Sequence, residues 1–254
     1  MRIVVYTVAY NEAKLLPFFL DYYSRIAAKI VIWDNYSSDA TCDIAAQFKR
    51  VEIEIEKFDS GNEFREDLNR KIKNSCWKKD AADWAIVCDV DEFIYAPDIK
   101  EFLARHRDFD VFRPVGYNMV SRQFPASNLR LITEQVTHGI RDDNYSKMAL
   151  FKPGAVEEMD YSVGAHRARP MGRRGVRVFD ARYFDCELKL LHYKNISFDY
   201  RRSKNKEYAE RVGAVSKKNN WNFHFAYDEQ TQQREFDAML DAAVPVLPEI
   251  ANDP

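Results

Sequence analysis

Strand and helix patterns alternate regularly through residues 1–95, and this alternation constrains the fold more than any other feature. Apolar or alternating strand-like runs occur at residues 2–8, 29–33, 51–58 and 84–88. Apolar residues at helical spacing occur at residues 15–23, 39–48 and 64–77, with Asp39 as the expected N-cap of the second helix. This order predicts an α/β fold with a mostly parallel central sheet and helices on both faces.

Polar residues stand directly after each predicted strand. In parallel sheets, ligands bind beyond the carboxyl ends of the strands. The residues at these positions are Tyr10, Asn11, Glu12, Asp34, Asn35, Asp59, Asp89 and Asp91. They are therefore the first candidates for a binding site.

The regularity is lost after residues 109–114. Residues 117–145 are predicted to form a long polar connection with a few strand-like pieces. The strand-like segments beyond it lie at residues 146–152, 176–183 and 187–193, and helices are predicted at residues 198–218 and 228–243. The intervals between these strands are too short for crossover helices, so we expect antiparallel pairing. No repeat or linker-like segment divides the chain, which predicts one domain over residues 1–254.

Composition excludes several classes of protein. Apolar residues make up 46% of the chain and charged residues 31%, and the formal net charge is −2. This balance is typical of a globular protein without a global field that would attract nucleic acid. No apolar run approaches the roughly 20 residues of a transmembrane helix. The scattered cysteines and the start MRIVVYTVAYNE, which lacks a signal-peptide pattern, predict a cytoplasmic protein with reduced thiols at Cys42, Cys76, Cys88 and Cys186.

The strongest local signal is Asp89-Val90-Asp91 at the end of the buried run 84–88. Where a strand gives way to a turn, two carboxylates at this spacing can converge on one hard cation. Mg²⁺ or Mn²⁺ held by one or two carboxylates, with diphosphate oxygens and water as further ligands, is a common way to bind a nucleotide diphosphate. The cation then neutralises charge on a departing diphosphate. The alternative is a solvated acidic turn after a core strand.

Three segments together resemble a known family. They are Thr7 to Glu12 (TVAYNE), Ile32 to Asp39 (IWDNYSSD) and Asp83 to Phe93 (DWAIVCDVDEF). In order and spacing they resemble the family 2-like glycosyltransferases of the GT-A fold. The resemblance covers residues 1–95, with a weaker continuation at residues 147–153, 164–166 and 191–194. It implies a Rossmann-like sheet, an irregular C-terminal half with added antiparallel strands and terminal helices, and transfer of a sugar from a nucleotide-sugar donor to a glycan or lipid-linked acceptor.

The resemblance also implies roles for individual residues. Asp89 and Asp91 would hold ribose and a Mn²⁺ or Mg²⁺ ion, with His192 completing the metal site. Asp34 would contact the base, usually uracil. The remaining residues implied for the nucleotide site are Tyr10, Asn11, Glu12, Arg65, Asn69 and Arg70. Each has a structural alternative, since these residues also suit helix capping, turns or a solvated helix surface. Residues 1–95 would then be the nucleotide-binding half, residues 96–197 the acceptor and catalytic half, and residues 198–254 C-terminal helices.

The acceptor side is less defined. An arginine-rich stretch begins at His166, Arg167 and Arg169, and could fold over a diphosphate or meet an anionic acceptor; an exposed loop is the alternative. The carboxylates positioned to be a general base are Asp142, Asp143, Glu157, Glu158 and Asp160, of which we take Asp143 as the candidate. Inversion and retention both stay open. The basic helix at residues 198–218 is a candidate for peripheral contact with an anionic membrane.

Rival interpretations make specific demands on the sequence. A haloacid-dehalogenase-type phosphatase would need a small hydroxyl residue where Phe93 stands. A nucleotidyltransferase acting on a sugar phosphate would usually carry a glycine- and arginine-rich loop after the first strand. That alternative and a non-catalytic nucleotide-sugar-binding domain remain open. The metal-site hypothesis makes the sharpest demand: residues 187–193 must return beside the end of strand 84–88, so that His192 meets Asp91.

Overall fold

The computed structural model describes residues 1–126, 130–184, 187–219, 225 and 227–248. Their strands are β1 Ile3–Ala9, β2 Lys29–Asp34, β3 Glu52–Lys57, β4 Trp84–Val87, β5 Glu92–Tyr95, β6 Val111–Arg113, β7 Val115–Val120, β8 His138–Arg141, β9 Leu150–Phe151, β10 Val178–Asp180, β11 Lys189–Asn195 and β12 Val244–Pro245. Their helices are α1 Leu16–Tyr23, α2 Thr41–Gln47, α3 Glu66–Ser75, α4 Ile99–Arg105, α5 Ile132–Gln135, α6 Phe198–Glu210, α7 Ala214–Lys218 and α8 Glu229–Ala242.

The larger sheet of the described residues runs in the order β10-β6-β9-β4-β1-β2-β3. Strands β3, β2, β1 and β4 are parallel neighbours, whereas β9 is antiparallel to β4 and β6. Ile3 and Val5 of β1 pack in one hydrophobic cluster with residues of α1. Val4 and Tyr6 belong to a second cluster that contains Trp77. Since alternate residues of a strand point to opposite faces, both faces of this sheet are covered. The predicted α/β architecture is confirmed.

A smaller sheet of the described residues has the order β12-β8-β7-β11-β5. Strand β4 of the larger sheet is followed directly by β5 of the smaller one, so residues 88–91 link the two sheets. Strand β11 lies between β5, to which it is antiparallel, and β7, to which it is parallel. The acidic segment Asp89-Val90-Asp91 therefore stands where the sheets meet.

The predicted pairing of the later strands is partly right. The strand expected at residues 187–193 is β11, which pairs antiparallel with β5, the strand that begins at Glu92 just after the end of β4. The strand expected at residues 176–183 is the shorter β10, and it pairs parallel with β6 rather than antiparallel. Its partner is not the preceding strand in sequence, so the intervening chain supplies the crossover that parallel pairing requires. Strand β9, within predicted residues 146–152, is antiparallel to both of its neighbours as expected.

Other local expectations also change. Asp39 is not the N-cap of α2; that position is Ala40. The Asp39 carboxylate instead accepts hydrogen bonds from the backbone N–H groups of Thr41 at 2.9 Å and Ala13 at 3.0 Å, which ties two loops together. The helix predicted at residues 198–218 divides into α6 and α7 around Gly213, a residue that favours helix ends. Residues 117–145 contain the end of β7 and the whole of β8, in agreement with the few strand-like pieces expected there, and also the short helix α5, which was not predicted.

Candidate active site

A cleft of about 240 Å³ lies at the junction of the two sheets. It receives residues from the end of β1, the link between β4 and β5, the start of α3, strand β11 and the C-terminal helices. The charged or polar residues that line it include Tyr10, Glu12, Asn35, Arg65, Glu66, Asn69, Lys73, Asp89, Asp91, Glu92, Tyr145, Lys147, His166, His192, Lys194 and Arg211. The carboxyl ends of the parallel strands thus form one wall, as the sequence predicts for a ligand site.

Asp91 and His192 meet in this cleft. The Asp91 Oδ2 atom lies 3.2 Å from His192 Nε2. The pairing of β11 with β5 brings them together: His192 lies opposite Glu92 in the ladder, and the backbone N–H of Tyr193 donates to the Asp91 carbonyl at 2.7 Å. Burial would raise the pKa of Asp91, but His192, Lys147 and Lys194 nearby together hold that pKa well below the usual range. The Asp91 side chain is therefore an anion at neutral pH.

Asn118 and Tyr145, neither of which the sequence analysis predicted, contact His192 directly. The Nδ1 atom of His192 lies 2.7 Å from the Asn118 side-chain oxygen, and Asn118 Nδ2 donates to Asp142 Oδ2 at 2.9 Å. Because that oxygen is an acceptor, Nδ1 carries the proton, and Nε2 faces Asp91 and the cleft. The Tyr145 ring stacks on the imidazole with centroids 3.9 Å apart. Nothing in the local sequence relates Asn118 to His192. The two residues meet because β7 pairs with β11.

The turn that carries Tyr145 packs tightly against β7. Gly116 makes this possible, because a Cβ atom at that position would lie 2.3 Å from the Tyr145 carbonyl carbon. The backbone N–H of Gly116 also donates to Ser146 Oγ at 3.0 Å. A substitution at Gly116 would consequently displace the ring that stacks on His192.

Asp89 is bound by two lysines. Its Oδ1 atom lies 2.7 Å from Lys73 Nζ and its Oδ2 atom 3.6 Å from Lys147 Nζ. Lys147 also lies 2.5 Å from Glu92 Oε1. Burial alone would raise the pKa of Asp89, but the two ammonium groups hold it below its ordinary value. These charges form a paired network, which suits buried groups that would otherwise be costly to desolvate.

Glu12 connects the first strand to the C-terminal helices. Its Oε1 atom lies 2.9 Å from Lys204 Nζ, and Lys204 also donates to the Asn11 carbonyl at 3.2 Å. The Glu12 backbone N–H donates to Thr41 Oγ1 at 2.7 Å. Burial raises the pKa of Glu12 to about 7, against the opposing effect of Lys204. Lys204 therefore fixes α6 over the end of β1.

Asp91 and His192 fit a divalent cation. Two ligands at about 2.1 Å from one ion, and at roughly a right angle, lie about 3 Å from each other, close to the observed separation. A carboxylate and a neutral imidazole nitrogen suit Mn²⁺ better than Mg²⁺. Asp89 is engaged by Lys73 and Lys147, and the described residues contain no cluster of three or more His, Cys, Asp or Glu side chains that could hold a metal. Asp91 and His192 would thus leave most coordination positions to a ligand and water.

Two cations in the cleft have no carboxylate partner among the described residues. The Lys194 ammonium lies 4.3 Å from the Phe225 ring centre and has no ion pair or hydrogen bond there. The Arg211 guanidinium stacks on Tyr10, 3.3 Å from its ring centre, and donates to the carbonyls of Asn62 and Glu63, each at 3.3 Å. Among the acidic residues of the cleft, Glu66 likewise has no ion pair within the described part of the chain. Burial raises its pKa.

Two of the predicted nucleotide-site residues, Asp34 and Arg70, do not line the cleft. Asp34 is fully buried, with its carboxylate 2.6 Å from Lys57 Nζ and accepting from the Ser37 N–H at 3.0 Å, so Asn35 lines the cleft in its place. Contact between Asp34 and a base would require the loop after β2 to move. Arg70 is exposed beside a different hollow, because the helix turns it away from the cleft.

The remaining predicted nucleotide-site residues serve the surrounding loops or reach the cleft. Asn11 has a φ of 52° and accepts from the Ser38 N–H at 2.8 Å, so its side chain holds the neighbouring loop. Arg65 lines the cleft but is paired with Asp67 at 2.8 Å. Tyr10 also lines it, beneath Arg211.

Of the three predicted acceptor residues, one lines the cleft and two lie outside it. His166 lines the cleft, and burial followed by Lys147 lowers its pKa. Arg167 and Arg169 lie outside, and Arg169 pairs with Asp160 at 3.1 Å. Asp143 is also outside the cleft, exposed and 3.2 Å from Arg141, which corrects its expected catalytic position. Its chain neighbour Asp142 is the residue that connects to His192. The other base candidates, Glu157 and Glu158, are exposed and are not part of the cleft lining.

The basic face of residues 198–218 is smaller than the sequence suggests. Arg201 is buried and 2.5 Å from Glu235, Lys204 is bound to Glu12, and Arg211 covers Tyr10. The exposed basic residues are Arg202, Lys206, Lys217 and Lys218. No described helix combines the length and apolar character needed to span a bilayer. Of the cysteines, Cys42, Cys76 and Cys88 are free thiols, and Cys186 lies outside the described residues.

No family model and no curated protein matches the chain. Similar solved structures include S. aureus TarS 1–349, with 14% identity, 95% of this chain and 71% of that one covered, and a TM-score of 0.46. S. aureus TarS itself has 13% identity and a TM-score of 0.48, with 95% of this chain and 43% of that one covered.

A third similar structure is glucosyl-3-phosphoglycerate synthase from Mycobacterium tuberculosis, in complex with Mn²⁺, UDP and glucosyl-3-phosphoglycerate. It has 12% identity and a TM-score of 0.31, with 46% of this chain and 44% of that one covered. At these identities and TM-scores the three structures carry no conclusion about fold or function, which rest on the strand order and on the cleft.

Proposed function

We propose that this protein is a glycosyltransferase that moves a sugar, of the hexosyl class, from a nucleoside diphosphate sugar to a hydroxyl group of a glycan or lipid-linked acceptor. The observation that carries the proposal is the Asp91–His192 pair, with 3.2 Å between Oδ2 and Nε2, in a cleft that also contains the Lys194 ammonium, which has no ion pair with any described residue. A carboxylate and an imidazole that would hold a divalent cation, together with the Lys194 ammonium, suit a ligand that carries several negative charges.

The reaction exchanges one bond of the anomeric carbon for another. The bond to the diphosphate oxygen breaks and its electron pair leaves with the diphosphate, while a bond to the acceptor oxygen forms and the hydroxyl proton goes to a base or to water. A divalent cation held by Asp91 and His192 would supply positive charge for the departing diphosphate. Asp91 supports this role because its carboxylate is ionised, and Asn118 supports it by keeping His192 Nε2 toward the cleft.

We propose Glu66, not Asp143, as the base for the acceptor proton. Glu66 lines the cleft at the first position of α3 and has no ion-pair partner among the described residues. Its pKa is raised by burial, which makes its carboxylate a better proton acceptor near neutral pH. The other acids of the cleft are paired with lysines or with His192.

The test is a panel of nucleotides and nucleotide-sugars screened by thermal shift with and without Mn²⁺. The resemblance implies uracil as the base, so a uridine nucleotide at about 100 times its dissociation constant is expected to stabilise the fold by roughly 2.7 kcal/mol. A melt shifted by guanosine or cytidine nucleotides, and not by uridine nucleotides, would contradict the choice of uracil, which has no support from Asp34 in the cleft lining. Stabilisation by nucleoside triphosphates but not by nucleotide-sugars would favour the alternative, a nucleotidyltransferase acting on a sugar phosphate. Binding of a nucleotide-sugar without release of free nucleotide in the presence of acceptors would favour a non-catalytic binding domain.

A further inference from the structure

We infer that Lys194 is the side chain that binds the diphosphate of the donor and takes up its charge as it leaves. This inference rests on the proposed function. It makes Lys194 a specificity-determining residue, because its positive charge would distinguish a nucleoside diphosphate from the nucleoside alone. Three features of the described residues carry it, namely the position of Lys194 on β11, the pairing of the other lysines at the cleft, and the surroundings of its ammonium.

Lys194 faces the same space as His192. The residue between them, Tyr193, is fully buried in the core, and the register of β11 against β7 shifts between His192 and Asn195. Both His192 and Lys194 line the cleft. Two residues along a strand span roughly 6.6 Å, so Lys194 stands one side-chain position beyond the Asp91–His192 pair. An elongated anion that meets Asp91 and His192 through a cation would therefore pass within reach of its ammonium.

The other lysines at the cleft already have carboxylate partners. Lys73 binds Asp89 at 2.7 Å, and Lys147 lies 2.5 Å from Glu92. Lys204, which is not part of the cleft lining, lies 2.9 Å from Oε1 of the cleft residue Glu12. Against this pattern, Lys194 has no carboxylate partner within the described part of the chain. A half-buried charge without a partner is unfavourable unless a ligand supplies the counter-charge.

Aromatic rings hold the Lys194 side chain without neutralising it. Its ammonium lies 4.3 Å from the centre of the Phe225 ring and 5.5 Å from that of Tyr208. Ring faces attract a cation but leave its N–H groups available for hydrogen bonds. Arg211, which also has no carboxylate partner among the described residues, already contacts the Tyr10 ring and donates to two backbone carbonyls. Lys194 is thus the cation best placed to receive phosphate oxygens, for which a lysine acts as a point charge.

The experiment measures the affinity of uridine, UMP and UDP by calorimetry with Mn²⁺ present, for the wild-type chain and Lys194→Met. If another base shifts the melt in the nucleotide panel, the nucleoside, monophosphate and diphosphate of that base are used instead. Lys194→Met is expected to retain the affinity for the nucleoside and to lose roughly 10- to 100-fold in the affinity for the diphosphate. Lys194→Arg, which keeps the charge, is expected to recover part of that loss.

The matched control is Lys189→Met, on the same strand but outside the cleft lining, which should leave all three affinities unchanged. A wild-type chain that binds the diphosphate more tightly than the nucleoside, together with a Lys194→Met chain that keeps the whole difference, would overturn the role of Lys194 while leaving the proposed function intact. A wild-type chain that binds no nucleotide would overturn both. If Lys194→Met melts well below the wild type, Lys194→Gln is measured against the same criterion.

Discussion

The side-chain oxygen of Asn118 lies 2.7 Å from Nδ1 of His192, although 74 positions separate the two residues in the chain. The parallel pairing of β7 with β11 places them opposite each other, and Asp142 in turn accepts a hydrogen bond from the Asn118 amide. This connection fixes which nitrogen of His192 is available to a ligand. It makes Asn118 and Asp142 positioning residues for the Asp91–His192 pair.

Asp142 and Asp143 offer a matched comparison. Asp142→Asn removes the charge that orients the Asn118 amide, so we expect a loss of about 10- to 100-fold in Mn²⁺ affinity, the usual effect of removing an outer hydrogen-bond partner of a metal ligand. Asp143→Asn, one residue away and exposed, should change Mn²⁺ affinity little. Calorimetric titration with Mn²⁺, with the melting temperature of each variant as the control, measures both. Equal losses in the two variants would show that the connection through Asn118 has no influence on the ion.

Substitutions at the pair itself should differ in severity. Asp91→Ala is expected to abolish sugar transfer with the fold intact. Asp91→Asn should lose nearly as much transfer activity, because the lost charge matters more than the lost shape. His192→Ala should lower Mn²⁺ affinity and rate but leave residual activity, since water can occupy one coordination position. Transfer is followed by release of the nucleotide product, and circular dichroism checks the fold. Full activity in Asp91→Asn would show that transfer does not need the Asp91 charge and would contradict the proposed mechanism.

Glu66→Gln tests the proposed base. The substitution preserves shape and removes proton acceptance, so kcat should fall by about 100-fold or more while the affinity for nucleotide stays within about twofold. In the wild type, activity should decline on the acid side at a pH above 4.5, because a base with a raised pKa is protonated, and inactive, below that pKa. The Gln variant should lose this acid limb. A Glu66→Gln variant with wild-type kcat, or with weakened nucleotide binding alone, would exclude the residue as base.

Membrane contact through residues 198–218 is expected to be weak. Of the basic residues in this segment, only Arg202, Lys206, Lys217 and Lys218 are exposed, and each adds about 1 kcal/mol near an anionic surface. We expect no flotation with phosphatidylserine vesicles at physiological salt and partial flotation at low salt. Strong flotation that persists at physiological salt, and that is lost when Lys217 and Lys218 are replaced by Glu, would instead support a membrane-bound enzyme.

The sequence by itself determined the architecture of the nucleotide half. Local patterns decide whether a run forms a strand or a helix, and the order of strands and helices then favours a parallel sheet, so β1 to β4 were predictable from residues 1–95 alone. The same logic placed Glu12, Asp89 and Asp91 at the carboxyl ends of strands, where the cleft lies. The resemblance to a known family added His192, which no local pattern would have related to Asp91.

Tertiary structure alone decided which of these candidates face the cleft. Asp34 and Arg70 follow the expected pattern, yet one is buried against Lys57 and the other points outward, because side-chain direction and ion pairing depend on neighbours distant in sequence. Asn118 reaches the site because β11 pairs with β7, and the sequence of neither strand indicates this pairing. Strand pairing across long separations depends on the packing of the whole chain, and local sequence carries little information about it.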